Sequence, residues 1–264
     1  MALVKPKKYL GQHFLKDESI CKDIALIYSK NNESNILLEI GPGMGALTKH
    51  LVKNEEIELF CIEYDIESVN FLNENLNLNK DHIIYGDFLK LDLDKLFEYK
   101  TFGVIGNFPY NISSQILFKC LNHREQINLV IGMFQKEVAN RIISDYNCSD
   151  YGRLSILANW KLNIKKIMDV KPNSFLPKPR IESSLLFFSI KKNFFRIKSP
   201  LNLEKITRIF FNHRRKMIKK PFNQIFPGKN DLLSKLNISL NLRPQNLDFE
   251  TYYKLTEEYE KLRS

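Results

Sequence analysis

The chain has 264 residues, 44% of them hydrophobic and 27% charged, which excludes intrinsic disorder and allows one large domain with a smaller one. It contains no apolar run of the roughly 18 to 20 residues that a membrane span needs, and nothing in it resembles a signal peptide. Its four cysteines show neither paired nor metal-ligand spacing, so we expect free thiols in a reducing cytoplasm and no metal site.

The order of the predicted elements indicates an α/β fold. An amphipathic helix is predicted over residues 18–29, with Asp17 or Ser19 as its cap. From residue 35 to about Ile190, short apolar strands alternate with helical segments, as in a doubly wound sheet. A break near residues 191–200 precedes a short helical region. We therefore predict two domains, residues 1–190 and residues 191–264.

The first loop of the alternating region has the composition of a nucleotide-binding turn. An apolar run leads into Glu39-Ile40-Gly41-Pro42-Gly43-Met44-Gly45-Ala46, and apolar residues at helical spacing follow it. Glycines allow a tight turn and a close approach of the ligand to the backbone. The G-x-G-x-G spacing differs from that of dinucleotide sites, and the Glu39 carboxylate suits a cationic amino-acid group rather than phosphate. The loop therefore predicts a site for a nucleoside without phosphates.

Acidic residues follow the next two predicted strands. Glu63 ends one of them, twenty residues after Gly43, an offset at which a carboxylate can bind both hydroxyls of a ribose. Asp87 follows the other strand, and its carboxylate can accept a hydrogen bond from an adenine amine. Solvated acids are common at strand ends, and each acid alone is a weak signal. Together with the glycine loop, they predict a pocket for S-adenosylmethionine.

The tetrapeptide Asn107-Phe108-Pro109-Tyr110 follows a further predicted strand, Phe102–Gly106, and suits a planar base with an exocyclic amine. The Asn107 side-chain oxygen and a neighbouring backbone carbonyl can accept hydrogen bonds from the amine. Pro109 restricts the backbone and presets the direction of that carbonyl, and Tyr110 offers a flat face for stacking. Taken alone, the tetrapeptide is equally well explained as an ordinary turn after a strand.

A proline-rich loop at residues 172–179 contains one large aromatic residue, Phe175. Three prolines stiffen the loop, so the ring can act as a stacking wall at little entropic cost on binding. In the alternative interpretation, Phe175 only anchors the loop on the core.

The excess positive charge lies at the end of the chain. Residues 1–190 carry 23 Lys+Arg and 23 Asp+Glu, whereas residues 191–264 carry 17 and 7, which accounts for the whole net charge of +10. The densest cluster follows a predicted helix and consists of Arg214, Arg215, Lys216, Lys219 and Lys220. This segregation indicates binding of a polyanion, and we predict contact with RNA. A solvated helix face is the alternative.

The motifs, taken in order, resemble those of one family over nearly the whole chain, the ribosomal RNA adenine dimethyltransferases. The similarity is greatest to the branch (KsgA, also called RsmA) that modifies small-subunit rRNA. It rests on the glycine loop, the two strand-end acids and the segments 11–15, 106–113, 135–141, 151–155, 172–183 and 211–216. His13 departs from the pattern, because Asn often occupies that position.

The resemblance implies a Rossmann-like, S-adenosylmethionine-dependent catalytic domain and a basic, helical rRNA-binding domain. The cofactor would then be contacted by His13, Leu15, Gly41, Glu63, Asp87 and Asn107. The catalytic set would comprise Asn107, Pro109, Tyr110 and Phe175, with the two rings on opposite sides of the target base.

The reaction implied by the resemblance is metal-free methyl transfer from S-adenosylmethionine to the N6 amines of two adjacent adenosines. These lie in a 3′-terminal hairpin of 16S rRNA in the 30S particle, and their dimethylation belongs to small-subunit biogenesis. We expect a cytoplasmic monomer that binds no membrane. One alternative is a methyltransferase of large-subunit rRNA that confers macrolide resistance. Another is a non-catalytic assembly factor, which the intact set of Glu63, Asp87, Asn107 and Tyr110 disfavours.

Overall fold

A computed structural model describes residues 4–123 and 125–263. The chain divides into two compact units. One unit contains the residues up to Ala139 together with Ile164–Ile190, and the other contains Asn140–Asn163 and the residues from Lys191 onward. Within the described residues, no helix is both long and apolar enough to cross a lipid bilayer.

The described residues form nine strands. They are β1 (Phe14–Leu15), β2 (Ile36–Ile40), β3 (Glu58–Glu63), β4 (Ile83–Tyr85), β5 (Phe102–Gly106), β6 (Ile127–Gln135), β7 (Leu162–Val170), β8 (Phe175–Leu176) and β9 (Ser183–Ile190). Seven of them form one sheet in the order β4-β3-β2-β5-β6-β9-β7, and β1 pairs with β8 in an antiparallel two-stranded sheet.

The described residues also form eleven α-helices. They are α1 (Glu18–Asn31), α2 (Thr48–Leu51), α3 (Ile66–Asn75), α4 (Leu93–Leu96), α5 (Ser113–Asn122), α6 (Lys136–Ile143), α7 (Arg153–Lys161), α8 (Pro200–Phe211), α9 (Lys219–Ile225), α10 (Asp231–Leu236) and α11 (Phe249–Lys261). The predicted cap of α1 is confirmed for Asp17, whose carboxylate accepts from the backbone N–H groups of Ser19 and Ile20 at 3.2 and 3.4 Å.

The sheet reverses its winding direction between β2 and β5. The parallel strands β3 and β4 follow β2 on one side, whereas β5 and β6 lie on the other side, and β9 runs antiparallel to β6. This topology confirms the predicted doubly wound α/β fold. In such sheets, ligands bind at the carboxyl ends of the strands where the order reverses. The loops after β2 and β5 meet at that point.

Burial on both faces explains why these strands were recognisable in the sequence. All five residues of β5 are buried, and so are Leu37, Leu38 and Ile40 of β2. A strand covered on both faces reads as a nearly continuous apolar run. Within β5, Gly103 leaves room for α1, because a Cβ atom at this position would lie 2.7 Å from the Tyr28 ring.

The segment Asn140–Asn163 belongs to the second unit, whereas the sequence assigned it to the first domain. Tyr151, Ile156 and Trp160 are at most 5% exposed and pack in one apolar cluster with residues of α8 and α11. Residues 140–163 and 191–264 together carry 20 Lys+Arg and 9 Asp+Glu, so the excess positive charge stays in this unit. One boundary between the units falls after Ile190, and the division into a catalytic and an rRNA-binding domain stays a prediction.

We expect Ile156→Ala to destabilise the second unit by about 2–5 kcal/mol, because the loss of a fully buried branched side chain leaves a cavity. Hydrogen exchange followed by mass spectrometry should then be faster in α8 and α11 but unchanged in β2 and β5. Ile116→Ala in α5 is the matched control, since Ile116 is also 0% exposed but lies in the first unit. If Ile156→Ala instead made exchange faster in β2 and β5 alone, the assignment of residues 140–163 to the second unit would be contradicted.

Candidate active site

A cavity of about 300 Å³ lies where the loops after β2, β3, β4 and β5 meet. The N-terminal segment before β1 also contributes to it. The lining residues are Leu10–Phe14, Ile40, Gly41, Gly43, Ile62–Tyr64, Gly86–Leu89 and Asn107–Ile112. Five of the six predicted cofactor residues are among them, and so are Pro109 and Tyr110. The parallel strands therefore bring together residues that lie far apart in the sequence.

The glycine turn after β2 has a backbone that other residues adopt only with strain. Gly41 and Gly43 have φ angles of +66° and +57°, a left-handed conformation that glycine adopts without steric cost. A Cβ atom at Gly43 would lie 2.6 Å from the ring of Phe14. The turn is thus packed closely under the N-terminal segment, and its backbone is exposed to the cavity at Gly41.

Glu63 at the end of β3 is 6% exposed and is held by three backbone N–H groups. One carboxylate oxygen accepts from Gly43 at 3.0 Å, and the other accepts from Tyr64 and Asp65 at 2.8 and 2.9 Å. Burial raises the pKa of this carboxyl group, although the three hydrogen bonds oppose the change. A carboxylate has about four acceptor sites, so this geometry leaves capacity for a hydroxyl group in the cavity.

Asp87 after β4 forms the N-terminal cap of a short turn, Phe88–Lys90. Its Oδ1 atom accepts from the Leu89 N–H at 2.9 Å, and its Oδ2 atom lies 3.9 Å from the Lys90 ammonium. The side chain is 29% exposed and lines the cavity. The carboxylate is therefore oriented by the backbone while remaining accessible to a ligand.

Glu39 does not line the large cavity, and its contact with a cationic ligand group stays a prediction. It is 2% exposed and lies in a smaller cavity of about 40 Å³ that also touches Leu15, Gly41 and Asn107. The Cys61 thiol lies 3.9 Å from its carboxylate. Burial raises the pKa of Glu39 to about 7, so this group is only partly charged at neutral pH.

The side-chain amide of Asn107 has one defined orientation. Its Nδ2 atom donates to the backbone carbonyl of His13 at 2.6 Å. A carbonyl accepts but cannot donate, so the amide nitrogen must face His13. The Oδ1 atom is then the acceptor that this side chain has left, and Asn107 lines the cavity. This is the arrangement needed to bind an exocyclic amine.

His13 also covers the ring of Tyr110. The two rings stack with centroids 5.3 Å apart and an interplanar angle of 29°. The His13 Nδ1 atom lies 2.7 Å from the Pro177 carbonyl, which requires the proton on that nitrogen. The Tyr110 hydroxyl forms a hydrogen bond with Ser183, and burial raises its pKa. The side chain of His13 therefore supports residues 107–112, the predicted catalytic loop, and its backbone orients Asn107.

Phe175 does not face the cavity. It is 1% exposed and packs in the apolar core with Leu15 and Val170. This burial contradicts the prediction of Phe175 as the second wall of a base slot and agrees with the alternative in which it anchors the proline-rich loop. The Leu15 side chain is also in this core and is absent from the lining of the large cavity. A backbone contact of Leu15 with the cofactor remains a prediction.

The N-terminal segment is attached to the loop after β3 by residues whose pairing no local sequence pattern indicates. Lys7 forms salt bridges with Asp65 and, at 3.2 Å, with Glu67. The Gln12 amide donates to Asp65 at 3.2 Å and accepts from the Lys7 N–H at 2.8 Å. Burial disfavours the charge of Asp65, but these donors outweigh it and lower its pKa. These bonds hold residues 10–14 against the cavity.

The predicted RNA-binding residues lie in the second unit, around the turn between α8 and α9. Arg215, Lys216, Lys219 and Lys220 are exposed. Arg214 is half-buried: its Nε atom donates to the Gln245 side chain at 3.1 Å, and its Nη2 atom donates to the carbonyls of Cys148 and Ser149. Arg214 therefore fastens the basic turn to two other segments of the same unit.

Comparison with known proteins identifies the family. Residues 4–261 match the family model described as ribosomal RNA adenine dimethylase. The chain belongs to this family. The ribosomal RNA small subunit methyltransferase A of Pelagibacter ubique is 49% identical over 263 residues, which cover 98% of this chain and 99% of the relative. The protein of that name from Flavobacterium johnsoniae is 40% identical over 262 residues, 98% of each chain.

Solved structures support the same assignment. A dimethyladenosine transferase from Plasmodium falciparum superimposes with a TM-score of 0.77 at 27% identity, covering 94% of this chain and 98% of that one. The 23S rRNA methyltransferase ErmE has a TM-score of 0.69 at 21% identity, with coverage of 94% and 99%, which shows the shared fold. The chain is thus an S-adenosylmethionine-dependent rRNA adenine dimethyltransferase. Its described residues contain no cluster of His, Cys, Asp or Glu suited to a metal ion.

We expect Glu63→Ala to weaken the binding of S-adenosylhomocysteine at least about 100-fold, because it removes an acceptor in the cavity and the anchor of Gly43. Isothermal titration calorimetry measures the change. Glu58→Ala is the control, since Glu58 begins the same strand and its side chain is 52% exposed. Its affinity should stay within about twofold of the wild type. Unchanged affinity in Glu63→Ala would place the nucleoside elsewhere.

Proposed function

We propose that this dimethyltransferase acts on small-subunit ribosomal RNA and modifies two adjacent adenosines in the 3′-terminal hairpin of 16S rRNA. Two relatives that cover 98% of the chain carry the name ribosomal RNA small subunit methyltransferase A. The observation that carries the chemistry is the hydrogen bond from Asn107 to the His13 carbonyl, because it leaves the Asn107 Oδ1 atom as an acceptor for an amine that enters the cavity.

S-adenosylmethionine supplies the methyl group, and the residues of the cavity fit its parts. The Glu63 carboxylate has remaining acceptor capacity for a ribose hydroxyl, and Asp87 is placed to accept from the adenine amine. Gly41 exposes its backbone at the end of β2, where the methionine part would lie. The His13 carbonyl accepts from the side chain of Asn107, and both residues line the same cavity.

The target amine needs activation because its lone pair is delocalised into the adenine ring. Hydrogen bonds from both amine protons draw the nitrogen toward tetrahedral geometry and return the lone pair for in-line attack on the methyl group. Asn107 Oδ1 supplies one acceptor. The carbonyls of Pro109 and Tyr110 already accept from Ile112 and Ser113, at 3.1 and 3.3 Å. We therefore assign the second acceptor to the carbonyl of Phe108, which has no partner within residues 4–123 and 125–263.

The reaction needs no strong general base, because the methylated amine is acidic enough to lose its proton to water. Tyr110 would stack on a target base that has been swung out of its helix. Its hydroxyl is hydrogen-bonded to Ser183, which fixes the plane of the ring before a base binds. Pro109 fixes the backbone between the two acceptors and the stacking ring.

The basic turn of the second unit would bind the rRNA. Arg215, Lys216, Lys219 and Lys220 are exposed in a unit with 11 more basic than acidic residues, as its 20 Lys+Arg and 9 Asp+Glu show. Phosphate contacts of this kind position an enzyme on nucleic acid without reading its sequence. Arg214 would orient the turn and retains donors on Nη1 for a phosphate. As part of the same proposal, the enzyme acts as a cytoplasmic monomer.

The substrate is tested by methylation of 30S and 50S particles from cells that lack this enzyme. We expect dimethyladenosine to appear in 16S rRNA alone, at two adjacent positions mapped by mass spectrometry. Modification of 50S particles instead would favour the large-subunit alternative.

Asn107→Ala should lower kcat by roughly 10²- to 10³-fold, the usual effect of removing a hydrogen-bonding group aimed at the reacting centre. Asn122→Ala, at an exposed position on α5, is the control and should retain activity.

Arg214 and Arg215 have different predicted roles, which a salt titration of RNA binding and the melting temperature distinguish. Arg215→Ala should weaken binding to a 16S rRNA fragment. The negative slope of log K against log salt should become shallower by about 1, because one phosphate contact is lost. Its melting temperature should not change, since the side chain is exposed. Arg214→Ala should lower the melting temperature, because Cys148, Ser149 and Gln245 lose their donor. Identical slopes for wild type and Arg215→Ala would contradict phosphate contact by Arg215.

A further inference from the structure

Lys119 lies in α5, on the helix that follows the catalytic loop, and its ammonium group reaches the turn after β4. The Nζ atom donates to the backbone carbonyl of Phe88 at 2.7 Å and to that of Leu91. It also lies 5.1 Å from the centre of the Phe88 ring. Lys119 is half-buried, and no carboxylate of the described residues forms a salt bridge with it. Its hydrogen bonds therefore go to the main chain of this turn.

The turn held by Lys119 is the one that orients Asp87. The Asp87 carboxylate caps the beginning of the turn through Leu89, and the Leu91 N–H closes its end on the Phe88 carbonyl at 3.2 Å. Carbonyls at the end of a helical turn carry partial negative charge, and a cation beside them is stabilising. The ammonium of Lys119 thus supports one end of the turn, while Asp87 supports the other.

The same helix also contacts the catalytic loop. The Ser113 hydroxyl, at the first residue of α5, donates to the Tyr110 carbonyl at 3.3 Å. Lys119 lies six residues further along the helix. One rigid element therefore connects the loop that holds the target base with the turn that presents Asp87.

We propose that Lys119 is a positioning residue for the adenine half of the cofactor site. By holding the carbonyl end of the turn, it keeps the Asp87 carboxylate directed at the adenine amine. The proposal rests on the proposed contact between Asp87 and that amine. Lys119 is not among the residues that line the cavity, so its effect should appear as discrimination between purine rings rather than as a general loss of binding.

The test compares two ligands by calorimetry, S-adenosylhomocysteine and S-inosylhomocysteine, in which an oxygen replaces the adenine amine. The wild type should bind the adenosyl compound at least about tenfold more tightly, the scale of one hydrogen bond to a charged group. In Lys119→Met this preference should fall below about threefold, with the loss confined to the adenosyl compound. Lys119→Arg, which keeps a cation, should restore most of it. If Lys119→Met does not fold, Lys119→Gln replaces it in the same comparison.

Lys90→Met is the matched control. Lys90 carries the same charge, its Nζ atom lies 3.9 Å from the Asp87 carboxylate, and its side chain is 84% exposed. Its loss should leave the preference within about twofold of the wild type. An equal loss of preference in Lys90→Met would show that charge alone acts and would overturn the proposal. An unchanged preference in Lys119→Met would overturn it as well.

Asp87→Ala separates this proposal from the proposed function. If the preference disappears in Asp87→Ala but persists in Lys119→Met, only the role of Lys119 is wrong. If the preference persists in Asp87→Ala, the adenine contact is misassigned and the proposal for Lys119 fails with it. A wild-type protein that binds neither compound would instead contradict the cofactor site as a whole.

Discussion

The buried carboxylate of Glu63 determines how the loops around the cavity are arranged. It accepts from Gly43 in the turn after β2 and from Tyr64 and Asp65 in the loop after β3, so one side chain connects the ends of two neighbouring strands. Burying this charge is unfavourable, and three backbone donors are the compensation that makes it possible. Asp65, brought into place by the same carboxylate, then anchors the N-terminal segment. The candidate cofactor site and the N-terminal segment that lines it therefore both depend on the hydrogen-bonded carboxylate of Glu63.

The N-terminal segment contacts the predicted catalytic loop and also lines the candidate cofactor site. The His13 carbonyl orients Asn107, the His13 ring stacks on Tyr110, and a Cβ atom at Gly11 would lie 3.0 Å from the side chain of Asn111. An Asn at position 13 could provide the same backbone carbonyl but not the same stacked ring. The departure of His13 from the family pattern therefore concerns the support of Tyr110 rather than the orientation of Asn107.

The parts of the fold that were predictable from the sequence are those in which local pattern and burial agree. The bounds of β5 were predicted correctly, because it is a short apolar run ended by glycine. Strand β7 was missed, since it lies at the sheet edge and carries exposed polar residues such as Asn163 and Lys165. The burial of Phe175 and the Lys7–Asp65 pair depend on contacts over long separations in sequence, which no local pattern encodes. For the same reason, residues 140–163 were assigned to the first domain although their apolar side chains pack in the second unit.

The position of Glu39 beneath the glycine turn couples the stability of the protein to pH. Burial moves its pKa from 4.5 to about 7 in the folded protein, so between these values the folded state retains a proton that the unfolded chain releases. By linkage, this group's contribution to the free energy of unfolding decreases as the pH rises through that window and levels off above pH 7. The residues packed beneath the turn are therefore most stable in acidic solution, and raising the pH from about 4.5 to about 7 weakens their packing.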